Sequence, residues 1–146
     1  MNPGSVGGPV FHVEMESVPG SLEPQWEAGD LLRIRVPGVF ARPREYSIAS
    51  LPSDGRLDLL VRQERHGDGS LGLASGWLTR DAAIGSLFEA RVLSNPAFRL
   101  GENALRPLIL IGNGTGFAGL RSLLKAREVA GRQDNWLLFG ERRSRR

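Results

Sequence analysis

The chain has 146 residues, 40% of them hydrophobic and 24% charged, a composition typical of one globular domain or of a small domain with part of another. It contains no cysteine, which excludes disulfides, thiolate metal ligands and a cysteine nucleophile. The net charge of +3 becomes −1 without the four arginines among the last five residues, so we expect no nucleic-acid partner. The sequence shows no apolar run of membrane-spanning length and no signal-peptide pattern, and we expect a cytoplasmic protein.

Short apolar or alternating stretches separated by turn residues predict five strands in the first two thirds of the chain. They cover residues 11–15, 31–36, 46–50, 57–61 and 87–92, and a short helix is predicted at residues 75–80. The pair Asp54-Gly55 predicts the hairpin turn before the fourth strand. Strands this short and closely spaced predict a small antiparallel barrel or sandwich.

The pattern changes after Arg106-Pro107. Residues 108–111 predict a buried strand, residues 117–130 an amphipathic helix and residues 136–139 a further strand, which together make one βαβ unit. We therefore predict a mainly β fold followed by an α/β unit, with a boundary near residues 100–105. A sheet of two parallel strands is poorly covered by itself, so this unit is expected to be truncated and the chain to be part of a longer protein.

A glycine-rich turn, Gly112-Asn113-Gly114-Thr115-Gly116-Phe117-Ala118-Gly119, joins the strand to the helix of this unit. Backbone N–H groups at a helix start point at an anion, and glycines let the backbone approach it closely. The spacing Gly114-x-Gly116-x-x-Gly119 also satisfies the dinucleotide fingerprint in its strand–turn–helix setting. The turn therefore indicates a binding site for the pyrophosphate of a nucleotide.

Four segments, in this order, resemble the ferredoxin–NADP reductase superfamily, and in particular the reductase modules of the sulfite reductase flavoproteins and their compact relatives. They are Arg44-Glu45-Tyr46-Ser47-Ile48-Ala49-Ser50, residues 72–78, Gly114-Thr115-Gly116-Phe117-Ala118 and residues 138–142. The resemblance covers the chain from about Val10 to Arg143. It implies a six-stranded antiparallel FAD-binding barrel over residues 1–103, and a truncated Rossmann-like βαβ unit of an NADP-binding domain over residues 104–146.

The resemblance also implies a flavin site. Arg44 would pair with the flavin pyrophosphate, Tyr46 would stack on the isoalloxazine and Ser47 would reach its reactive edge, so that Tyr46 and Ser47 would be the catalytic residues. A forked guanidinium suits phosphate, and a tyrosine ring covers an aromatic face. The remaining FAD contacts would come from the same strand, from the ribose and adenine side and from the second pyrophosphate segment: Glu45, Leu60, Val61, Arg62, Gly72, Leu73, Ala74 and Ser75. His66 lies where relatives often carry an aromatic ring over the adenine.

A second site, for NADP(H), would have its pyrophosphate cradled by Gly114, Thr115 and Gly116. Gly119 replaces the proline that is usual in the family, which predicts a looser helix entry. Arg142 would suit a 2′-phosphate and Glu141 a free 2′-hydroxyl, so the choice between NADPH and NADH stays open, with NADPH favoured by the resemblance.

The implied activity is transfer of reducing equivalents from NADPH through FAD to an electron acceptor, which could be a flavodoxin-like, iron–sulfur or haem protein or domain. The alternative is a non-catalytic flavin-binding or interaction module, or an inactive fragment, because the nucleotide domain is incomplete. No metal site is expected, since the only histidines, His12 and His66, have no ligand partners nearby in sequence. Arg121, Lys125 and Arg127 are interpreted as the polar residues of an ordinary amphipathic helix.

Overall fold

The computed structural model of the chain describes residues 7–141. Every predicted strand and the long helix are confirmed, although the third strand begins two residues earlier, and ends three earlier, than predicted. The strands are β1 (Val10–Met15), β2 (Leu31–Arg35), β3 (Arg44–Ser47), β4 (Leu57–Arg62), β5 (Glu89–Leu93), β6 (Leu108–Asn113) and β7 (Asn135–Gly140). The helices are α1 (Leu73–Gly76), continued by a π-helical turn at Trp77–Asp81, and α2 (Phe117–Val129). The short helix thus begins at Leu73 rather than at Ser75.

The first five strands are antiparallel but form two sheets. One pairs β1 with β4, and the other has the order β3-β2-β5. The two sheets are connected by a single antiparallel bridge between Ile48 and Leu59. Ile48 directly follows β3, which ends at Ser47, and Leu59 lies in β4. Within residues 7–141 the strands do not close on themselves, so the predicted six-stranded barrel is not confirmed. The antiparallel β part followed by an α/β unit is observed as predicted.

The core of the antiparallel part is apolar and contributed by both sheets. Strict alternation in β2 and β4 sends every second side chain inward, which is the period of two that a half-buried strand requires. Burying one such aliphatic side chain stabilises the fold by about 1.5–3 kcal/mol. Trp77 closes this core with an edge-to-face contact to Phe88, at 5.4 Å between ring centroids. The buried members are Leu32, Ile34, Ile48, Leu57, Leu59, Val61 and Leu78.

Strand β4 separates two environments. Leu57, Leu59 and Val61 point into the core, whereas Asp58 and Arg62 point to the other side, where α2 and β7 lie. On that side β6 and β7 pair in parallel, and α2 packs its Leu120 and Leu123 on Leu110 of β6. The antiparallel part and the βαβ unit are therefore in direct contact across β4.

A second contact between the two parts depends on glycine. Gly29 has a φ of +99°, and a Cβ at this residue would lie 2.0 Å from the carbonyl oxygen of Phe98. Its N–H donates to the hydroxyl of Ser122 in the middle of α2, at 3.2 Å. Gly119, one turn earlier in α2, packs against the ring of Phe98, and a Cβ there would lie 2.8 Å from the ring. Gly119 therefore lets α2 approach Phe98 closely, a packing role that was not predicted from the sequence.

The interpretation of α2 as an ordinary amphipathic helix is wrong for Arg127, whose exposed fraction is 1%. Its guanidinium donates to the carbonyl of Ala104 at 2.8 Å, to the carboxylate of Asp134 at 2.8 Å and to the side chain of Asn135. Arg127 thus ties the end of α2 to the segment before β6 and to the start of β7. Among residues 7–141, no helix is both long and apolar enough to cross a membrane.

Candidate functional site

The segment after β4 folds back on itself and positions α1. The chain reverses between His66 and Gly69, whose N–H donates to the His66 carbonyl at 2.9 Å. The N–H of Gly72 then donates to the carbonyl of Glu64 at 2.9 Å, and the hydroxyl of buried Ser75 accepts from the N–H of Glu64 at 3.1 Å. This hairpin places the turn at Gly72 beside the end of β4, and His66 lies in its exposed tip.

The structure brings two of the predicted flavin segments together around one crevice. Arg44, at the start of β3, and Leu73 and Ala74, at the start of α1, line it together with residues of β2 and of the loop after β2. The crevice is narrow, with a volume of about 10 Å³. A larger cavity of about 880 Å³ lies between the loop after β1 and strands β2 and β5, and none of the predicted site residues lines it.

Tyr46, two residues after Arg44 in β3, is partly buried against the core. Burial raises the pKa of its phenol above the ordinary value, the carboxylate of Glu64 raises this pKa further, and the guanidinium of Arg44 lowers it. The phenol is therefore neutral near pH 7, and both Arg44 and Glu64 are close enough to act on it. Glu64 was not predicted from the sequence, because only the hairpin at residues 64–72 brings it to β3.

Several of the other residues predicted to contact the flavin do not line this crevice. Glu45 points to the opposite face of its sheet, where its carboxylate pairs with Arg33 at 2.6 Å, so it is not brought together with Arg44 and Tyr46. Val61 is fully buried in the core, so the structure exposes no part of it to a ligand. Ser47, at the end of β3, and Leu60, in β4, are both half-buried.

The glycine-rich turn forms at the carboxyl end of β6. Gly114–Gly116 makes a 3-10 turn, Gly114 has a φ of +50°, and α2 begins at Phe117. A Cβ added to Gly116 would meet no atom within 4 Å, so the space over the turn is open. The first amides of a helix have no partner within that helix, and they make this end attractive to an anion. Thr115, at the centre of the turn, is half-buried.

Arg62 lies at this turn, not at the crevice beside Arg44. Its Nη1 donates to the carbonyl of Gly8 at 2.8 Å, and its Nη2 donates to Oε1 of Glu141 at 2.9 Å. The same Nη2 is 3.0 Å from the position that a Cβ on Gly114 would occupy. Glu141 directly follows β7, whose Gly140 pairs with Asn113 of β6. The other predicted nucleotide residue, Arg142, lies outside the described residues.

A charged cluster connects β1, β4 and α2. The side chain of buried Asp58 is 3.3 Å from Nε2 of His12 and 3.2 Å from Nη1 of Arg121, and Arg121 also donates to the carbonyl of Ala49. His12, Glu14 and Asp58 lie close enough to share a cation, but Arg56 and Arg121 already pair with the two carboxylates. We therefore assign the cluster to the contact between α2 and β4.

Searches with the sequence found no matching family model. They did find curated relatives, among them NADPH oxidoreductase A of Dictyostelium discoideum, 35% identical over 108 residues, and the sulfite reductase [NADPH] flavoprotein alpha-component of Vibrio cholerae, 39% identical over 106 residues. These matches cover 70% and 68% of the chain but only 17% of each relative. The chain thus corresponds to about a sixth of the length of these relatives.

Solved structures show the same architecture. A cytochrome P450 reductase from Amycolatopsis aligns with a TM-score of 0.66 and 29% identity, covering 92% of this chain and 44% of that one. The ferredoxin–NADP+ reductase of Plasmodium falciparum, as its H286L mutant, aligns with a TM-score of 0.62 and 21% identity, covering 86% of this chain and 46% of that one.

The antiparallel sheets, the βαβ unit and the glycine-rich turn therefore define a fold of the ferredoxin–NADP reductase class. The resemblance to this superfamily, inferred above from four short segments, is confirmed. Within the class, the sequence relatives are the sulfite reductase flavoprotein alpha-component and NADPH oxidoreductase A.

Proposed function

We propose that the chain is the flavin-binding and nucleotide-phosphate-binding part of an NADPH-dependent flavoprotein oxidoreductase. The observation that carries the proposal is the crevice shared by Arg44 of β3 and by Leu73 and Ala74 of α1, because the resemblance assigns both segments to one FAD. The similarity to named oxidoreductases favours this function over a non-catalytic binding module.

The residues present fit FAD. Arg44 is exposed, lines the crevice together with Leu73 and Ala74 of α1, and offers a forked cation to a diphosphate. Tyr46, two residues further along β3, has a half-buried neutral ring that would suit packing on a flavin. Ser47 follows at the end of β3 and would face the reactive edge. The carboxylate of Glu64 would repel a diphosphate, so the positive charge of Arg44 has to offset both the diphosphate and Glu64.

The residues of the glycine-rich turn fit the diphosphate of NADPH. The space over Gly116 is open, and Gly114, Thr115 and Gly116 precede α2 at the carboxyl end of β6, where ligands of α/β sheets bind. When bound, the flavin supplies the hydride and electron transfer, and the protein binds, orients and shields the two nucleotides.

The same proposal extends to the domain bounds, the nicotinamide nucleotide and the electron acceptor. Residues 1–103 would be the FAD-binding part, completed as a six-stranded barrel, and residues 104–146 the start of the NADP-binding domain. The relatives named for NADPH support NADPH over NADH. The electrons would pass to an acceptor protein or domain, of flavodoxin, iron–sulfur or haem type, in the cytoplasm.

The proposal is tested by titrating the purified chain with FAD and monitoring binding by the quenching of flavin fluorescence. We expect saturable binding, and we expect the Arg44→Ala variant to bind FAD about tenfold or more weakly, because a charge-assisted bond to phosphate contributes about 1.5–3 kcal/mol. Arg33→Ala is the matched control, since Arg33 lies on the neighbouring strand but pairs with Glu45 on the opposite face.

Equal losses in Arg44→Ala and Arg33→Ala would contradict the assignment of Arg44 to the diphosphate. A chain that binds no FAD at all would contradict the flavin function itself. The control also guards against a general effect of removing positive charge from this sheet.

A further inference from the structure

The ion pair between Arg62 and Glu141 lies across the glycine-rich turn. Both side chains are partly buried, each with an exposed fraction of 22%, and the two groups come from opposite parts of the molecule, Arg62 from β4 and Glu141 from the end of β7. The Nη2 that donates to Glu141 is also the Arg62 atom closest to Gly114. A carboxylate and a guanidinium thus meet at the edge where the turn offers its amides to an anion.

Glu141 makes with Arg62 the kind of contact that a phosphate oxygen could make. Its Oε1 accepts from Arg62 at 2.9 Å, the normal distance for a charge-assisted hydrogen bond. Its negative charge lies beside a helix start, where an anion is favoured. An incoming diphosphate would meet both a satisfied arginine and a like charge, so it has to displace Glu141 before it can use Arg62.

Arg62 is held in place for such an exchange. Its Nη1 is bonded to the carbonyl of Gly8 at 2.8 Å, so loss of the Glu141 contact leaves the guanidinium anchored at the turn. The planar fork then still presents Nη2 toward Gly114. A ligand that has to compete with an internal partner binds with its intrinsic affinity multiplied by the fraction of molecules in which that partner is displaced.

We propose that Glu141 is a displaceable stand-in for the dinucleotide diphosphate, which holds Arg62 at the turn and lowers the affinity for NADPH. This inference rests on the proposed function of the turn. Arg62 would then bind the diphosphate of NADPH rather than the ribose and adenine side of FAD. Glu141 would lower the affinity for NADPH without making a favourable contact with the bound nucleotide.

Binding of NADPH to the chain, measured by isothermal titration calorimetry at low ionic strength, tests the proposal. We expect Glu141→Gln to bind NADPH about two- to fivefold more tightly than the wild type, the range that corresponds to a partly exposed ion pair. Arg62→Gln is expected to bind NADPH more weakly. In the Arg62→Gln background, Glu141→Gln should raise the affinity by a smaller factor than in the wild type, because only the like charge, and not the competition for Arg62, is then removed. Asp81→Asn is the matched control, since it removes an acid from another exposed ion pair, with Arg80.

The possible failures are distinct. If the wild type binds NADPH but Glu141→Gln and Glu141→Ala, both verified as folded by circular dichroism, bind no more tightly, the stand-in role is overturned and the nucleotide site survives. If Asp81→Asn binds NADPH more tightly to the same extent as Glu141→Gln, the gain comes from the change in net charge, and the stand-in role of Glu141 is also overturned. If no variant binds NADPH, the nucleotide-binding function proposed for the turn fails, and this inference fails with it.

Discussion

The two parts of the molecule bury their apolar residues to very different degrees. In the antiparallel part, Ile34, Leu59 and Val61 are fully buried between the two sheets. In the βαβ unit, α2 covers one face of the β6–β7 sheet, while Ile111 and Trp136 are 73% and 74% exposed. An α/β sheet is normally covered on both faces, so this unit depends on its contacts with β4 and with Phe98 more than on a core of its own.

The largest difference in stability is expected between one substitution in the antiparallel part and one in the βαβ unit. Leu59→Ala removes a fully buried side chain and should lower the free energy of unfolding by about 2–5 kcal/mol. Ile111→Ala removes an exposed one and should change it by less than about 0.5 kcal/mol. Urea unfolding monitored by circular dichroism measures both values. Similar losses for the two variants would mean that the outer face of the β6–β7 sheet is covered in solution.

A smaller effect is expected at the joint between the parts. Buried Asp30 accepts from the N–H of Asn95 and from Arg99, both at 2.9 Å, next to Gly29, which contacts α2. Asp30→Asn should lower the free energy of unfolding by about 1–3 kcal/mol, because a hydrogen-bonded charge is lost at a buried position. Arg99 then keeps a hydrogen-bond acceptor at residue 30 but loses the negative charge of its most buried partner.

The effect of Asp30 should depend on pH in a defined direction. Burial raises the pKa of Asp30, but the N–H groups of Glu27 and Asn95 and the guanidinium of Arg99 together hold it below the ordinary value. A lowered pKa in the folded state contributes stability that is fully present above the unfolded value of about 4 and is lost as the pH falls through the folded value. The stability difference between wild type and Asp30→Asn should therefore shrink below about pH 4; a difference that grows on acidification would contradict this assignment.

The smallest effect concerns Tyr46, the only tyrosine of the chain, so ultraviolet absorbance of the ionised phenol reports on it alone. Its raised pKa should fall in Glu64→Gln, which removes a nearby negative charge, and rise in Arg44→Gln, which removes a positive one. Glu89→Gln, in β5, is the control. Unchanged titration in the Glu64 and Arg44 variants would separate Tyr46 from both charges and weaken the crevice as a common site.

The sequence predicted those features that depend on local order. Alternation in β2 and β4 and the 3.6-residue period of α2 identify these elements, because each is set by which residues face the core. The glycine-rich turn was recognisable for the same reason, since strand, turn and helix follow one another directly. The four family segments indicate the fold class in the same way, because each is a short run of neighbouring residues.

Contacts between distant segments could not be predicted in this way. Arg121 and Arg127 look like polar residues of a surface helix, yet one reaches Asp58 across the interface and the other is buried among carbonyl groups. Glu64 reaches the flavin segments only through a hairpin. Glu141 was expected at the nucleotide site, but its pairing with Arg62 of β4 was not. Charge and spacing carry no signal for such pairs, because the partner is chosen by the tertiary arrangement.

Strand β4 has side chains with different functions on its two sides. Its inward side chains make the core, and its outward side chains Asp58 and Arg62 reach α2 and Glu141. A deletion or insertion of one residue within this strand would exchange the two sets, placing two charged groups in the apolar interior and Leu59 and Val61 against α2. Length changes should therefore be excluded from residues 57–62 in functional homologues, whereas the exposed hairpin tip at residues 66–69 can vary.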